Sequence, residues 1–490
     1  MPSPGFEGQT GQIGAVIIRG NEALEEERYQ QVVEGFFGEP LTDEVLERLS
    51  DELTELAKEA GYPYARASID TEAAQNGFVE INIDEGRIDR IEITGSDNPA
   101  AHRMLEGLVG RPATKADLES TLLLVSDIPA LILRGARLQR VDGQGVLLVS
   151  LEERGPNISV SADNYGSELF GPVRARAAIR YADVLNSADQ VSAAVRINPI
   201  EPSELLFGSA AYRTQVTDGG TYVTLAGSLG QTAPGGDLGP SDISGDSRRA
   251  SLAVSVPLKR SRGASLWLEA NAAYISVAQD DLGTLLRDDT LVTASVGLRT
   301  RFAVAEGSAG ASLWIDRGLD MLGATRLGDP LASRADGDGV FTRYRFSADA
   351  RLPLVRRLDL YLTATGQMAD RPLLASQEIA LGGAHRTRGY GFAEVLGDEG
   401  IAGLAELRYR FNTSGLPFDF LQLYAFADGG YVTDIGSDLG EGSLFSAGSG
   451  VRGRVGIFDF EVEGAFPLGG SGERDTSNDP QINVRAGVNF

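Results

Sequence analysis

Cysteine is absent from the 490 residues of this chain. That excludes a disulfide framework and thiolate metal centres. Histidine is almost as scarce, at His102 and His385, so the imidazole-rich donor sets of zinc and iron centres have no material here. His102 is expected on a module surface without further ligands nearby, and His385 as a polar loop residue. The acidic pairs Asp280-Asp281 and Asp288-Asp289 read as loop or strand-end charges, not as a metal site. Lysine is limited to Lys58, Lys115 and Lys259, none preceded by glycine. A Walker-type phosphate cradle is therefore unsupported, and no nucleotide is expected as a partner. No run approaches eighteen uninterrupted apolar residues, so no transmembrane helix is supported. Met1-Pro-Ser-Pro4 lacks the basic start and apolar run of a secretory leader, as expected of a mature or trimmed chain. No catalytic residue, cofactor or metal is expected.

What is present is acid, arginine and alternation. Against 44 Lys and Arg stand 69 Asp and Glu, a net charge of −25, which argues against nucleic acid as a general partner. Residues 1–60 hold fourteen acidic and four basic side chains, net −10. That excess reads as a solvated helix face, although it would also suit a basic client segment.

At this length more than one domain is expected. Gln12–Arg19 reads as a strand ended by Gly20-Asn21, and Ala23–Phe37 as a helical stretch. A second helix starts at Thr42, an N-cap residue followed by Asp43 and Glu44. Its apolar positions Val45, Leu46, Leu49, Leu53, Leu56 and Ala57 recur at helical spacing until Gly61-Tyr62-Pro63 stops it. Strands follow at Tyr64–Asp70 and Phe78–Asp84, joined through Gln75-Asn76-Gly77. The pattern then returns: Gly38-Glu-Pro40-Leu-Thr42 is echoed by Gly110-Arg-Pro112-Ala-Thr114, a constant offset of 72. Arg87–Thr94 opens the second unit, and Ala136–Arg140 and Gly145–Leu151 close it. Thr114 and Asp117 have capping-box spacing. Two copies of a β-α-α-β-β module are expected. Gly20 and Gly95 read as turn residues, not as phosphate-binding glycines.

After residue 155 helical patterning vanishes and two-residue alternation takes over. Ile482, Val484, Ala486, Val488 and Phe490 alternate with Gln481, Asn483, Arg485, Gly487 and Asn489. Arg343 and Arg345 likewise oppose Tyr344 and Phe346, and Glu406, Arg408 and Arg410 oppose Leu407, Tyr409 and Phe411. Sixteen such runs are expected, from 158–165 through 481–490. An even count is what outer-membrane barrels have. Long connections at 231–247, 316–340 and 369–400 alternate with tight ones at Asp218-Gly-Gly220, Lys259–Gly263 and Pro353–Arg356. Long loops on one side and short turns on the other fit a barrel with apolar residues outward and charges inward. A soluble sandwich would put its polar faces in water instead. Lipid offers no partner to backbone groups, so the ring must close. The domain expectation is a tail at 1–10, modules at 11–86 and 87–155, and a sixteen-stranded transmembrane antiparallel β-barrel at 156–490.

Asp163-Asn164-Tyr-Gly166 opens that barrel. Leu381-Gly-Gly383, Arg388-Gly389-Tyr390, Gly397-Asp398-Glu-Gly400, Phe426-Ala-Asp428-Gly-Gly430 and a terminal Phe490 follow in order. With two modules in front, this set resembles the polypeptide-transport-associated (POTRA) domains and barrel of two-partner secretion transporters, the outer-membrane partners of hemolysin- and filamentous-hemagglutinin-type exoproteins. The resemblance implies a loop folded into the lumen, with Arg388 paired to Asp428. Thr387 stands where the family usually has valine. By register Asp428 shares a face with Gln422 and Tyr424, so its lumen placement follows from alternation alone. The resemblance further implies passage of an unfolded exoprotein client from periplasm to surface, and periplasmic modules that capture it by strand addition at a sheet edge. It also implies recognition of Phe490 by the barrel-assembly machinery. The alternative is an outer-membrane protein assembly or insertion factor of the same superfamily. Two modules and the Asp163-Asn164 opening favour secretion.

Overall fold

The computed structural model describes residues 11–70, 78–167, 169–235, 243–384, 386–436, 441–471 and 479–490. The tail at 1–10, the Gln75-Asn76-Gly77 connection and His385 lie outside the described residues. The chain divides into two units, Met1–Arg154 and Gly155–Phe490.

The first unit holds both modules. In the first, β1 (Ala15–Arg19), α1 (Glu26–Val33), α2 (Asp43–Glu59), β2 (Arg66–Asp70) and β3 (Phe78–Asp84) form a sheet in the order β1-β3-β2. The Thr42 hydroxyl accepts from Val45 N at 3.4 Å, and α2 buries Leu46, Leu49, Leu53 and Ala57 against that sheet. The helix expected over Ala23–Phe37 is shorter, ending in a 3-10 turn at Glu34–Phe36. Two causes act at its ends. Gly35 weakens the C-terminal end. At the other end, the backbone N–H groups of Glu22, Ala23 and Leu24 donate to the buried Glu85 carboxylate (2.9, 2.6 and 3.0 Å).

The second module comprises β4 (Arg90–Thr94), α3 (Pro99–Glu106), α4 (Lys115–Ser126), β5 (Leu131–Val141) and β6 (Gln144–Glu153), in the order β4-β6-β5. The Thr114 hydroxyl accepts from Asp117 N at 3.0 Å. Its first strand starts at Arg90 rather than at Arg87, which makes an isolated bridge to Pro112. Gly20 and Gly95 occupy equivalent turns at φ +82° and +85°, where a Cβ would stand 2.3 Å from Ile83 O and 2.0 Å from Leu151 O. Steric fit alone requires glycine there. His102 is half-exposed, with Nε2 3.1 Å from Asp97.

The second unit is a closed antiparallel barrel of sixteen strands. They are β7 (Asn157–Asp163), β8 (Arg174–Ala182), β9 (Asp189–Ile197), β10 (Leu206–Gln215), β11 (Tyr222–Thr232), β12 (Ile243–Lys259), β13 (Ala264–Asp281), β14 (Thr284–Val304), β15 (Gly307–Gly318), β16 (Thr342–Val355) and β17 (Leu358–Ala369). After a long loop containing the short pair β18 (Ile379–Leu381) and β19 (Val395–Gly397), the wall resumes. It continues with β20 (Glu399–Arg410), β21 (Phe420–Thr433), β22 (Gly442–Val455), β23 (Phe458–Ser471) and β24 (Gln481–Asn489).

Five residue pairs between β24 and β7, from Arg485↔Asp163 to Asn489↔Ser159, close the ring. The Asn164 side chain adds to this seam: Nδ2 donates to Ile482 O (2.7 Å) and Oδ1 accepts from Val484 N (2.7 Å). Side chains sort as lipid requires: Tyr344, Phe346, Leu407, Leu423, Val462, Ile482 and Val484 are exposed, while Glu406, Asp428, Glu463 and Asn483 are buried. Among the described residues no helix is long and apolar enough to cross a membrane.

One connection departs from the expected alternation of loop lengths. Between β13 and β14 only Leu282 and Gly283 turn the chain, both at positive φ (+52° and +74°). A two-residue turn of this kind matches the twist of flanking strands, so those strands run on through the stretch expected as loop. Asp280 and Asp281 therefore end β13, and Asp289 lies buried within β14, accepting from Ser333 N at 3.0 Å.

Candidate functional site: an inward loop and its wall

The loop between β17 and β20 carries the site. β18 and β19 pair antiparallel, Ile379↔Gly397 to Leu381↔Val395, and form the stem of a hairpin. Its inner side is apolar: Ile379, Leu381, Tyr390 and Val395 cluster with Ala402, Val432 and Leu444 of the barrel wall. Gly430 is the floor beneath Leu381, since a Cβ there would meet Leu381 Cδ2 at 2.5 Å. At the tip, Gly382 N donates to Thr387 Oγ1 (2.7 Å), and Thr387 Oγ1 donates to Arg386 O (2.6 Å). Thr387 sits at φ +55°, a costly conformation for a β-branched residue. Its hydroxyl ties the turn together, which valine could not do.

Arg388 follows, 8% exposed. Its guanidinium reaches three strands of the wall: Nε donates to Asp428 Oδ2 on β21 (3.3 Å), Nη1 to Glu463 Oε2 on β23 (2.6 Å) and Nη2 to Glu406 Oε2 on β20 (3.2 Å). Its backbone N also donates to Asp428 Oδ2 (3.2 Å). Phe426 lies flat beneath it, the ring centroid 3.5 Å from Cζ, an additional cation–π attraction. Ser446 on β22 donates from Oγ to Asp428 and accepts from Gly389 N at 3.1 Å. A Cβ on Gly389 would stand 2.9 Å from Ser446 Cβ and from Pro467 N. The backbone is that close to the wall. Tyr390 is buried in the apolar cluster, and its hydroxyl accepts from Gly469 N at 3.3 Å.

Beyond this contact the network continues. Arg408 and Arg452 both donate to Glu406 (2.6 and 2.8 Å), and the Tyr424 hydroxyl donates to Glu461 and Glu463 (2.8 and 3.0 Å). The loop thus docks through one cation inserted among carboxylates that each accept from at least one further wall donor. Such a buried set is specific in geometry, and removing one member leaves the others uncompensated.

A second arginine organises the loop bases. Arg334, between β15 and β16, donates from Nη1 to Asp398 Oδ1 (2.8 Å) and to Glu378, while Nη2 lies 3.1 Å from Asp336 and 3.5 Å from Asp434. Asp398 also accepts from Leu373 N (2.7 Å) and Ile435 N (3.0 Å), so one carboxylate holds two connections. Burial pushes Glu378 up to about 7 against the pull of Arg334, with Asp434 and Asp398 beside it adding to the rise. Carboxylate oxygens of Glu378, Asp398 and Asp434 converge within 4.8 Å, with the positive charge there supplied by Arg334.

Sequence alternation placed Asp428 on the inner face with Gln422 and Tyr424, but not the rest of the Arg388 shell. Glu406, Glu463 and Ser446 needed knowledge of which strands stand side by side. The parity of Glu406 with Arg408, and of Glu463 with Glu461, was the available signal. Phe490 ends the last strand exposed, its N donating to Ile158 O (2.8 Å) and its carbonyl accepting from Ile158 N (3.2 Å).

A closed sixteen-stranded barrel with two POTRA-type modules ahead of it and a loop docked on its inner wall defines an outer-membrane polypeptide-transport β-barrel. This chain belongs to the haemolysin secretion/activation protein family ShlB/FhaC/HecB, whose model matches residues 143–453, while residues 12–86 match the ShlB-type POTRA domain. It is a two-partner secretion transporter of the outer membrane, and in this family the modules are periplasmic. It is 23% identical over 497 aligned residues to the outer membrane transporter CdiB of Escherichia coli, covering 96% of this chain and 81% of that protein. The structure of CdiB from Escherichia coli has the same fold, with TM-score 0.82 at 21% identity over 100% of this chain and 92% of that one. CdiB from Acinetobacter baumannii gives 0.70 at 15% identity, over 100% and 93%. BamA from Haemophilus ducreyi lacking POTRA domains 1–3 gives 0.56 at 11%, over 98% and 100%.

Proposed function

We propose that the barrel lumen conducts an unfolded exoprotein from periplasm to cell surface, with the Arg388 loop fixed on one side of the conduit. The observation that carries this reading is the Arg388 guanidinium held by Asp428, Glu463 and Glu406. One cation bridging three wall strands anchors the hairpin to one side of the bore and leaves the rest of the polar lumen to the client. Capture begins at the modules, where β2 and β5 are edge strands of three-stranded sheets. A client strand added there is read through its backbone more than its side chains. The sequence holds no Walker-type motif, and in this reading client folding outside the cell supplies the direction of transport. The exposed apolar belt meets outer-membrane lipid, and Phe490 is the residue the barrel-assembly machinery reads during biogenesis.

The test is secretion by Arg388→Ala and Asp428→Ala proteins that still show heat-modifiable migration. Both are expected to insert and to secrete less of the partner. Undiminished secretion by both rejects the loop's role.

The short seam gives the assembly-factor alternative its one supporting observation, because five residue pairs are few to hold a wall shut. The chain has no native thiol, so a Ser159→Cys/Asn489→Cys disulfide can lock the seam selectively. Secretion through the lumen is expected to survive the lock; a function that needs lateral opening is lost.

A further inference from the structure

Resting on the secretion reading, we propose that the lumen wall formed by β8 to β12 is the client's contact surface and selects extended segments that bear carboxylates. Arg176 on β8 and Arg196 on β9 are direct cross-strand partners. Like charges so placed cost stability. Neither has an ion-pair or hydrogen-bond partner among the described residues, and the same holds for Arg180 and Arg249. Arg176, Arg180 and Arg249 line one cavity of about 410 Å³, whose lining is mostly small side chains such as Ser192, Ser209 and Ala226, with Phe207 beside them.

The carboxylates on neighbouring strands are already occupied. Asp163 is held by Arg174 (2.8 Å), although its charge also reaches Arg196, Asp459 is held by Arg454 (2.7 Å), and Glu461 lies 3.8 Å from Arg452 Nη1. On β20 to β23 the situation is reversed, with Arg388, Arg408 and Arg452 all answered by acids. Guanidinium groups without an ion-pair partner are therefore gathered on β8, β9 and β12. Positive charge retained at a cost, beside a lining of mostly small residues, fits a passing chain that brings its own counter-charge. Guanidinium groups recognise carboxylate through paired donors, and the mostly small lining leaves room for the client's side chains.

The absence of native cysteine makes a clean probe available. In the full-length Ser209→Cys protein the introduced thiol is the only one, and its alkylation by bromoacetyl-tagged Asp/Gly and Asn/Gly peptides of equal length can be timed. The acidic peptide is expected to react about tenfold faster, the lower end of the local enrichment a one-signed cleft produces. Arg176→Ser/Arg196→Ser is expected to abolish the advantage and Arg176→Lys/Arg196→Lys to retain it. Equal rates in the Ser209→Cys protein, or an advantage that survives the serine pair, overturn the proposal. Should the serine pair fail to fold, Arg196→Ser alone is expected to reduce the advantage, and an unchanged ratio overturns it. Partner secretion by the unsubstituted chain is scored separately: equal peptide rates with intact secretion sink this inference alone, whereas loss of secretion sinks the reading beneath it.

Discussion

Arg388 shows how much one side chain can fix. Its fork is matched by three acids and an aromatic face; its loss leaves Asp428 and Glu463 buried without a cation, Glu406 keeping Arg408 and Arg452, a cost of roughly 3–5 kcal/mol. Arg388→Lys keeps the charge but supplies a point donor in place of a planar fork. It is expected to secrete at a level between wild type and Arg388→Ala, measured as partner released per cell. Gly389 acts by having no side chain. Gly389→Ala forces its Cβ against Ser446 and Pro467, an overpacking cost of about 1–3 kcal/mol. Its expected signature is faster hydrogen exchange in residues 386–392 with the barrel strands unchanged. In the first module Glu85 is the comparable residue, accepting from three backbone N–H groups and from the Tyr29 hydroxyl (3.0 Å). Glu85→Ala is expected to destabilise that module by on the order of 3 kcal/mol, seen as local loss of exchange protection in the full chain.

At the scale of elements, the seam and the loop bases are the adjustable parts. Asn164→Ala removes two hydrogen bonds that lengthen the β24–β7 seam, worth about 1–2 kcal/mol together. It is expected to lower the temperature at which heat-modifiable migration is lost, without changing insertion. The Arg334 cluster gives the loops a pH response. Glu378, pushed up to about 7, holds its proton more tightly in the folded loop than in the unfolded chain. Its contribution is complete below the ordinary carboxylate range and is lost as pH rises through about 7. Loop exchange, corrected for intrinsic rates, is therefore expected to be slower at pH 5 than at pH 8, with Glu378→Gln flattening the difference. Much of this element level was legible beforehand. Two-residue alternation marks strands and their faces because lipid and lumen demand opposite side chains. The repeat at Gly38/Gly110 marks the modules because each needs the same turn and cap. What stayed hidden was adjacency. Nothing local states that Glu406 and Glu463 meet at one guanidinium, or that Leu282-Gly283 suffices to turn two long strands, since both depend on the register of the closed wall.

For the whole molecule, closure does most of the explaining. Once β24 pairs with β7, every strand has two neighbours, the apolar set must face lipid, and the charges must share one bore. On the loop-bearing wall Arg388, Arg408 and Arg452 are paired with acids; on β8, β9 and β12 Arg176, Arg180, Arg196 and Arg249 have no ion-pair partner among the described residues. The decisive measurement is where the passing client touches the barrel. A photo-crosslinking side chain at inward-facing Ala226 and another at lipid-exposed Leu225 sit one residue apart on β11. During active secretion the partner is expected to crosslink from position 226 and not from 225. Crosslinks from 225 alone, or none from 226 while secretion continues, contradict passage through the lumen.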